Sequence, residues 1–321
     1  MVAPYALHPN ATGVEIMRIA TVFLRHGTLR YPDSEDAVDE LFRRQMPEVS
    51  RDTVVVDNIL PVGHAERTAA DRIVLGGDNS FSEFSGFDTA LSWIGSRIWS
   101  YDLVNIVTSA CFMLYVRYLE RFDTRMLCAI VRQPVCVGHI DCYNEPIRIL
   151  AYHSQHWIRT SFLFLPPAEL KALGSLVTFR DRDRVFSGNA RQPFRPDAPL
   201  SEQYRKYIYD WLTGGDVGQD VKWHSGAPLT EANLPEFQRK AMAILNEQLF
   251  AIRLRALGCR VVDATWLATQ LATVGERTVR WTLGWREQLG TRDTDPLRLK
   301  TDPGLTHPAH IFVPERSSTA E

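Results

Sequence analysis

The sequence Val54-Val55-Val56-Asp57-Asn58 is followed by Gly76-Gly77-Asp78-Asn79-Ser80-Phe81-Ser82-Glu83-Phe84-Ser85-Gly86-Phe87-Asp88, and this succession decides our interpretation of the fold. An apolar run that ends in Asp-Asn is typical of a buried strand with polar groups at its carboxyl end. The second stretch is a glycine-bounded loop that leads into a new helix. Two such units in series predict a nucleotide pocket at the carboxyl edge of a parallel sheet.

Strands alternate with helices around these two stretches. We predict strands over residues 19–24, 53–56, 72–75 and 103–107, and helices over 34–46, 87–98 and 235–257. Residues 180–199 are rich in charge, Pro and Gly and predict a loop or an active-site flap, and the Pro-containing segment from residue 292 predicts an extended or partly disordered arm. The sequence therefore predicts an α/β fold, with a mainly parallel sheet flanked by helices and a helical C-terminal portion.

Composition limits the class of protein. The chain has 321 residues and a formal net charge of -2, which gives no support for nucleic-acid binding. Its five cysteines are odd in number and show no CxxC spacing, which indicates buried free thiols in a reducing compartment. The first residues resemble no signal peptide, and the longest uncharged run, over residues 103–116, is shorter than the roughly 20 residues of a membrane span. We expect a cytoplasmic protein, and peripheral contact with the inner face of the membrane stays open.

Asp57 and the glycine-bounded loop are the first candidate ligand-binding groups. A carboxylate at a strand tip can accept hydrogen bonds from a nucleobase or a ribose hydroxyl, although an Asp that caps the following turn is an equal alternative. Gly76 and Gly77 allow close approach of a ligand to the backbone. Asp78, Asn79 and Glu83 lie near the start of a helix whose amides suit a diphosphate, with a capped strand-to-helix turn as the alternative.

Residues 139–161 carry a dense set of polar side chains. A sugar pocket is the favoured interpretation, because hydroxyls need many donors and acceptors and Trp157 offers a flat apolar face. A satisfied polar turn between two elements is the alternative. Metal binding is disfavoured because His153 and His156 lack a flanking Glu and no zincin or deaminase signature is present.

Glu247, on the late helix, is a candidate general base, with a solvent-facing helical Glu as the commoner alternative. The sequence contains no GxSxG, GxxxxGK[ST] or HExxH motif, so serine-hydrolase, P-loop and zinc-protease functions lack support.

The chain resembles bacterial glycosyltransferases of the GT-A type, near the family 2 enzymes and the rhamnan-synthesis group of polysaccharide transferases. Four segments carry the resemblance: Val54–Asn58, whose final acid would recognise the base; Asn79 with Glu83–Leu91, similar to a loop and helix beside the donor diphosphate; Ser154–Leu165, similar to a "Gln-Ser-Tyr-Phe-Leu-Val-Phe" stretch; and Glu247–Val261, similar to a helix that delivers the catalytic base. The likeness spans residues 17–265, with a donor half over 17–125 and an acceptor half over 126–265. Residues 266–321 would form a C-terminal helix and an extended tail.

The resemblance implies a hexosyltransferase-like enzyme that moves a sugar from a nucleotide-sugar donor to a glycan acceptor. Both a free and a lipid-linked glycan are open as the acceptor. The product would be a capsule or O-antigen type polysaccharide. Glu247, or failing it Asp141, would deprotonate the acceptor with inversion at the anomeric carbon. The implied donor-site residues are Arg25, His26, Asp57, Asp78, Asn79, Glu83, Gly86, Thr108 and Ser109. The implied sugar or acceptor pocket contains His139, Glu145, Gln155, His156, Trp157 and Arg159.

Two positions depart from the family pattern. Thr108 stands where an acid normally holds Mg²⁺ or Mn²⁺, so no metal ligand is assigned and Arg25, His26 or Arg159 would neutralise the diphosphate instead. Gln248 replaces the second acid of the Glu-Asp pair. These departures keep open a non-catalytic glycan- or nucleotide-binding relative in a polysaccharide-assembly complex. A nucleotidyltransferase is a third hypothesis, which the missing metal acid also weakens. Oligomeric state is left open.

Overall fold

A mixed β-sheet forms the centre of the protein in this computed structural model. The structure describes residues 16–112, 116–131, 133–215, 226–274, 279, 281 and 284–291. Within them, eight strands are present: β1 (Met17–Arg25), β2 (Val49–Asp57), β3 (Ala65–Ala69), β4 (Arg72–Gly76), β5 (Leu103–Thr108), β6 (Val135–Ile149), β7 (Tyr152–Leu165) and β8 (Arg260–Asp263). Their order in the sheet is β3-β4-β2-β1-β5-β7-β6-β8.

Helices cover both faces of this sheet. The described helices are α1 (Ser34–Gln45), α2 (Glu83–Ile94), α3 (Thr124–Ile130), α4 (Pro167–Leu173), α5 (Glu202–Thr213), α6 (Leu234–Ala256), α7 (Ala264–Val274) and α8 (Trp285–Gly290), with 3-10 turns at Gly95–Ser100, Val116–Arg121 and Arg182–Arg184. The predicted α/β fold with a largely parallel sheet flanked by helices is therefore confirmed.

The connections create one topological switch point. Strands β4, β2, β1 and β5 are parallel, and β3 pairs antiparallel with β4 at the sheet edge. The chain runs outward from β1 through β2 to β4 and then returns to β5 on the other side of β1. Connections that diverge on either side of neighbouring strands leave a crevice at the carboxyl ends of those strands. That crevice lies between β1 and β5.

The sequence of β1 explains why it lies in the centre. Ala20, Val22 and Leu24 are buried in one hydrophobic core with α2, α5 and α6. The alternate residues Ile19 and Phe23 are buried in a second core with α1, α3 and α7. A strand that is covered on both faces needs the near-continuous apolar run that the sequence carries here.

The predicted strands at 19–24, 53–56, 72–75 and 103–107 are confirmed, as are the helices at 34–46 and 235–257. The helix predicted over 87–98 begins earlier, at Glu83, and gives way to a 3-10 turn at Gly95, whose φ is 59°. Residues 180–199 are irregular apart from a short 3-10 turn and one β-bridge, in line with the predicted loop. The predicted arm beyond residue 291 lies outside the described residues.

The polar turn considered as the alternative for residues 139–161 is wrong. These residues belong to β6 and β7, two long antiparallel strands joined at Leu150 and Ala151. β7 in turn pairs antiparallel with β5, and β6 pairs parallel with β8. Because Val107 lies opposite Phe162, the parts of the hairpin near Asp141 and Arg159 continue past the carboxyl end of β5.

The five cysteines carry free thiols. Cys111, Cys136 and Cys259 are buried, as predicted, but the prediction is wrong for Cys128, which is exposed, and for Cys142, which is only partly buried. Among the described helices, none combines the length and the apolar character that a membrane-spanning segment requires.

Candidate functional site at the carboxyl edge of the sheet

A cavity of about 460 Å³ opens at the switch point between β1 and β5. It brings together residues at or just beyond the carboxyl ends of four parallel strands, β1, β2, β4 and β5, with the first residues of α2 and one face of α6. The lining residues are Leu24, Arg25, His26, Leu29, Arg30, Tyr31, Asn58, Asn79, Ser82, Glu83, Thr108, Ser109, Ala110, Glu236, Arg239 and Lys240. Six of the nine predicted donor-site residues are in this set, namely Arg25, His26, Asn79, Glu83, Thr108 and Ser109.

The loop between β4 and α2 is held in a strained conformation at the cavity wall. Asn79 has a φ of 52° and Ser82 a φ of 50°, values that L-residues rarely adopt. The Asn58 amide Nδ2 stabilises both positions, because it donates to Asn79 Oδ1 and to the Ser82 carbonyl, each at 3.2 Å. The Asn58 side chain, directly after β2, therefore fixes the shape of this loop at the cavity. Backbone strain of this kind is often found at functional sites.

The glycines around this loop serve packing against the protein itself. A Cβ on Gly76 would lie 1.8 Å from the Pro61 carbonyl oxygen, and a Cβ on Gly77 would lie 2.1 Å from Asn58 Oδ1. At Gly86 a Cβ would lie 2.0 Å from Leu24 Cδ1. The expectation that Gly76 and Gly77 bring backbone close to a ligand is thus corrected. Their missing side chains let β4, α2 and the turn after β2 approach one another.

Asp57 lies behind the cavity in a network of hydrogen bonds. One carboxylate oxygen accepts from the main-chain N–H groups of Gly27 (2.8 Å) and Ile59 (3.1 Å), and the other accepts from Arg25 Nε at 2.7 Å. Burial opposes the charged form, but these donors prevail and hold the pKa of Asp57 below its usual range. In this position Asp57 fixes the turns after β1 and β2, as the capping alternative predicted.

Arg25 is similarly committed. Its guanidinium bridges Asp57 and Glu35, whose oxygen lies 2.8 Å from Nη1. Arg72 pairs with the other oxygen of Glu35 and with Asp39. The Arg25 charge at the cavity wall is therefore largely balanced by two carboxylates.

Two cations on α6 were missed by the sequence analysis. Lys240 Nζ lies 3.0 and 3.1 Å from the two oxygens of Glu83, the first residue of α2, and Arg239 pairs with Glu236 one turn earlier. All four side chains line the cavity. The sequence signal was the basic pair Arg239-Lys240 in the first half of α6, but the contact with Glu83 spans 157 positions of sequence.

Thr108 and Ser109 form the end of β5 at the floor of the cavity. The Ser109 N–H donates to the Leu24 carbonyl at 2.8 Å, which ties the β5 end to the β1 end. Both residues line the cavity, whose two carboxylates, Glu83 and Glu236, are paired with cations. This donor set does not fit Mg²⁺ or Mn²⁺, which need free carboxylate oxygens. No group of three His, Cys, Asp or Glu side chains suited to a metal occurs within the described residues.

Glu247 lies on the cavity face of α6, seven residues beyond Lys240, which corresponds to about two turns or ~10 Å of helix. Its Oε1 accepts two hydrogen bonds from Thr160, from the N–H at 2.8 Å and from the hydroxyl at 2.9 Å. Burial raises the pKa of Glu247, and the negative charge of Glu83 adds to this, while Arg159 and the Thr160 donors oppose it. The side chain is partly exposed, and a raised pKa makes a carboxylate a stronger proton acceptor.

Asp141, the alternative base, is buried in a charge cluster with 1% of its surface exposed. Arg159 Nη1 lies 2.9 Å from one of its oxygens, and His139 Nε2 lies 3.3 Å from the other. His139 is itself fully buried, with its ring 5.1 Å from that of Tyr118. Of the two predicted catalytic carboxylates, Glu247 is the more accessible, and Asp141 mainly balances Arg159.

The remaining predicted sugar-pocket residues lie elsewhere. Trp157 is 5% exposed and its ring lies 4.6 Å from that of Tyr143, so its expected role as an open platform for a sugar is corrected. His156 stacks on Trp285 and contacts Arg255, and burial together with Arg255 and Arg286 lowers its pKa to about 3. Gln155 contacts Arg286 of α8, and Glu145 is exposed on the outer part of the hairpin. These side chains were predicted to meet at one pocket because β6 and β7 were not recognised as long strands.

Asp78 is exposed beside the cavity and binds its own loop. It accepts from the N–H and hydroxyl of Ser80, both at 2.9 Å. Burial would raise its pKa, but these donors and Arg180 lower it overall.

Asn246 was not singled out from the sequence, although it is fully buried next to Glu247. Its Oδ1 accepts from the N–H groups of Thr178 (2.8 Å) and Phe179 (2.9 Å), which anchors the segment after α4 to α6.

Neither a family model nor a curated protein nor a solved structure matches this chain.

Proposed function

We propose that the protein is a GT-A type glycosyltransferase that moves a sugar from a nucleotide-sugar donor to a glycan hydroxyl in bacterial polysaccharide synthesis. The observation that carries the proposal is the cavity at the β1–β5 switch point, with cationic side chains at its wall and Glu247 about two helical turns from Lys240. Crevices of this kind are the usual ligand sites of open α/β sheets. A pocket with cations and a carboxylate of raised pKa suits transfer from a diphosphate-activated donor.

The donor diphosphate would bind between the first turn of α2 and the face of α6 that bears Arg239 and Lys240. Helix amides favour an anion, and the two cations supply full charges. Glu83 holds Lys240 in place before the donor arrives, at 3.0 Å. Thr108 and Ser109 would donate hydroxyl hydrogen bonds from the end of β5. Asp57 would not contact the donor. It would position the turns after β1 and β2, because it accepts hydrogen bonds from the main chain of both.

Charge neutralisation by side chains replaces a divalent cation in this proposal. The hydroxyls at Thr108 and Ser109 and the paired carboxylates of Glu83 and Glu236 do not form a Mg²⁺ or Mn²⁺ site. Lys240 and Arg239 would stabilise the leaving nucleoside diphosphate as negative charge develops on it.

Glu247 would serve as the general base. Thr160 holds Oε1, and no described residue donates a hydrogen bond to Oε2, which is thus free to accept the acceptor's proton. The acceptor oxygen would form a bond to the anomeric carbon while the bond from that carbon to the diphosphate oxygen breaks, with inversion. The proton ends on Glu247, and the electron pair leaves with the nucleoside diphosphate.

Ligand-induced thermal stabilisation tests the donor site directly. UDP-, GDP-, dTDP- and CMP-sugars are screened with Mn²⁺ and with EDTA, using the wild type, Lys240→Ala and Lys206→Ala. Lys206 is the control because it forms an exposed ion pair on α5, away from the cavity. One donor class should raise the Tm of the wild type and of Lys206→Ala in EDTA, while Lys240→Ala should bind it ~10-fold more weakly. Stabilisation that requires Mn²⁺, or that Lys240→Ala retains in full, contradicts this assignment.

A non-catalytic nucleotide- or glycan-binding relative is the second candidate. It is favoured by the ion pairing of both cavity carboxylates and by the burial of Asp141. Donor binding without release of nucleoside diphosphate in the presence of polysaccharide acceptors would support it. Transfer by the wild type that is abolished in Glu247→Gln, with donor binding intact, would support the enzyme.

A further inference from the structure

The three most exposed large apolar side chains among the described residues lie together at the rim of the cavity. Leu29 is fully exposed, Val62 is 72% exposed and Ile59 is 61% exposed, whereas every other large apolar side chain described is less than half exposed. Leu29 belongs to the loop after β1, and Ile59 and Val62 belong to the turn after β2. We call these two loops, residues 26–32 and 58–64, the rim loops.

The rim loops are neighbours and adjoin the cavity mouth. A Cβ placed on Gly27 would lie 3.0 Å from Ile59 Cδ1, which shows that the two loops touch. Asp57 holds both of them from below, through the N–H groups of Gly27 and Ile59. Leu29, Arg30 and Tyr31 also line the cavity. The apolar side chains thus project from one buttressed rim beside the candidate donor site.

The charge of the rim loops identifies the kind of surface that they suit. Residues 26–32 read His-Gly-Thr-Leu-Arg-Tyr-Pro and residues 58–64 read Asn-Ile-Leu-Pro-Val-Gly-His. They contain one Arg, two His and no acid. Separate aliphatic side chains at loop tips, flanked by Arg30 and by an aromatic residue with a polar tip, match an interface between water and lipid. The one full charge of the rim loops, on Arg30, is complementary to an anionic headgroup.

From these observations we propose that the rim loops dock on an anionic bilayer surface, with Leu29, Ile59 and Val62 inserted between headgroups and Arg30 paired with lipid phosphate. Docking in this orientation turns the mouth of the cavity toward the membrane. If the proposed transfer function holds, the acceptor is then a hydroxyl on a lipid-carried glycan presented at the membrane surface. The docking itself does not depend on that function.

Co-sedimentation with sucrose-loaded vesicles tests the proposal. The full chain is mixed with phosphatidylcholine vesicles and with vesicles in which about a third of the lipid is phosphatidylglycerol. The variants are the triple Leu29→Asn, Ile59→Asn, Val62→Asn, the single Arg30→Gln, and a control with Tyr152→Asn and Leu257→Asn. The control removes two exposed apolar side chains outside the rim loops.

The wild type and the control should bind anionic vesicles, with weaker binding to neutral vesicles and at high salt. The triple variant should partition at least ~10-fold less, because three inserted side chains lose their apolar burial. Arg30→Gln should lower binding to anionic vesicles and leave binding to neutral ones unchanged.

Failure of the wild type to bind either vesicle, or undiminished binding by the triple variant, would overturn the proposal. Sedimentation velocity distinguishes membrane docking from self-association of the chain through the rim loops. Self-association that the triple variant abolishes, without vesicle binding, would assign the rim loops to contact between copies of the chain and overturn membrane docking. Donor-induced thermal stabilisation of the double variant Ile59→Asn, Val62→Asn separates the two proposals, because neither residue lines the cavity. Loss of vesicle binding with intact donor binding in this variant concerns the rim loops alone.

Discussion

Thr160 donates two hydrogen bonds to the same oxygen of Glu247, one from its main-chain N–H at 2.8 Å and one from its hydroxyl at 2.9 Å. This contact joins strand β7 to helix α6 and leaves the second carboxylate oxygen of Glu247 for a substrate. Hydrogen bonds to a carboxylate stabilise its charged form and so lower its pKa. Thr160 therefore both orients the proposed base and limits the rise in its pKa that burial causes.

Thr160→Val tests this positioning role because it keeps the N–H and the side-chain shape but removes the hydroxyl donor. We expect the pKa of Glu247 to rise further, so the acid limb of the kcat/KM pH profile should move to higher pH. Transfer at neutral pH should fall by roughly tenfold, within the range for perturbed general-base catalysis. Thr160→Ser, which restores a hydroxyl, should recover most of the wild-type profile. A Thr160→Val profile that superimposes on the wild type would remove the hydroxyl from this role.

Glu247 should also cost folding stability at neutral pH. A carboxyl whose folded-state pKa is raised binds its proton more tightly when folded. Its favourable contribution is present below the unfolded pKa and is lost as pH rises through the folded pKa. Glu247→Gln keeps an acceptor for Thr160 and removes the buried charge. Urea unfolding should therefore show the variant more stable than the wild type at pH 8, by on the order of 1 kcal/mol, with a smaller difference at pH 4. A variant that is less stable at pH 8 would show that the charge is stabilising.

Asp57 should behave in the opposite way. Its folded-state pKa is lowered, so its contribution to stability is present above the ordinary value of 3.8 and is lost as pH falls through the folded pKa. Asp57→Asn removes one of the two carboxylate partners of Arg25, since Glu35 remains, and should cost about 3 kcal/mol at pH 7, as breaking a buried ion pair does. The matched control is Asp197→Asn, an exposed carboxylate paired with Arg195, which should change little. Urea unfolding at pH 7 and at pH 3 checks both claims, and equal losses at the two pH values would contradict the linkage.

The sequence predicted the strands of residues 17–125 better than those of the rest of the chain, for a physical reason. β1, β2, β4 and β5 are buried on both faces, so they appear as nearly continuous apolar runs that are easy to recognise. β6 and β7 alternate apolar with polar side chains, and register shifts between Gly138 and Ile140 and between Cys142 and Ile147 interrupt even that period. Several of these polar groups are satisfied internally, as Asp141 is by Arg159, which no local pattern reveals.

The same distinction holds for the site. Thr108 ends β5, Ser109 follows it, and Asn79 comes three residues after β4. The carboxyl ends of parallel strands meet at one edge of a sheet, so the convergence of these residues could be predicted. Lys240 reaches the cavity only because α6 packs beside α2, and helix packing across 157 positions is a property of the folded chain. Trp157 is a case in which the sequence predicted an open site residue and the fold buries it. Its flat apolar ring suggested a platform for a sugar, but in the structure Tyr143 covers the ring.

The absence of a side chain at Gly76 gives a last test of how the cavity wall is built. A Cβ there would lie 1.8 Å from the Pro61 carbonyl oxygen, which is main chain and cannot move without displacing the turn after β2. Gly76→Ala should thus destabilise the fold by about 2–3 kcal/mol, as overpacking does. Gly284→Ala is the control, because its φ of -65° is ordinary and no heavy atom lies within 4 Å of a Cβ there. Its stability should stay within about 0.5 kcal/mol of the wild type. Urea unfolding of both variants decides, and a Gly76→Ala protein as stable as Gly284→Ala would mean that the turn after β2 yields freely and that its contact with Gly76 does not hold it in place.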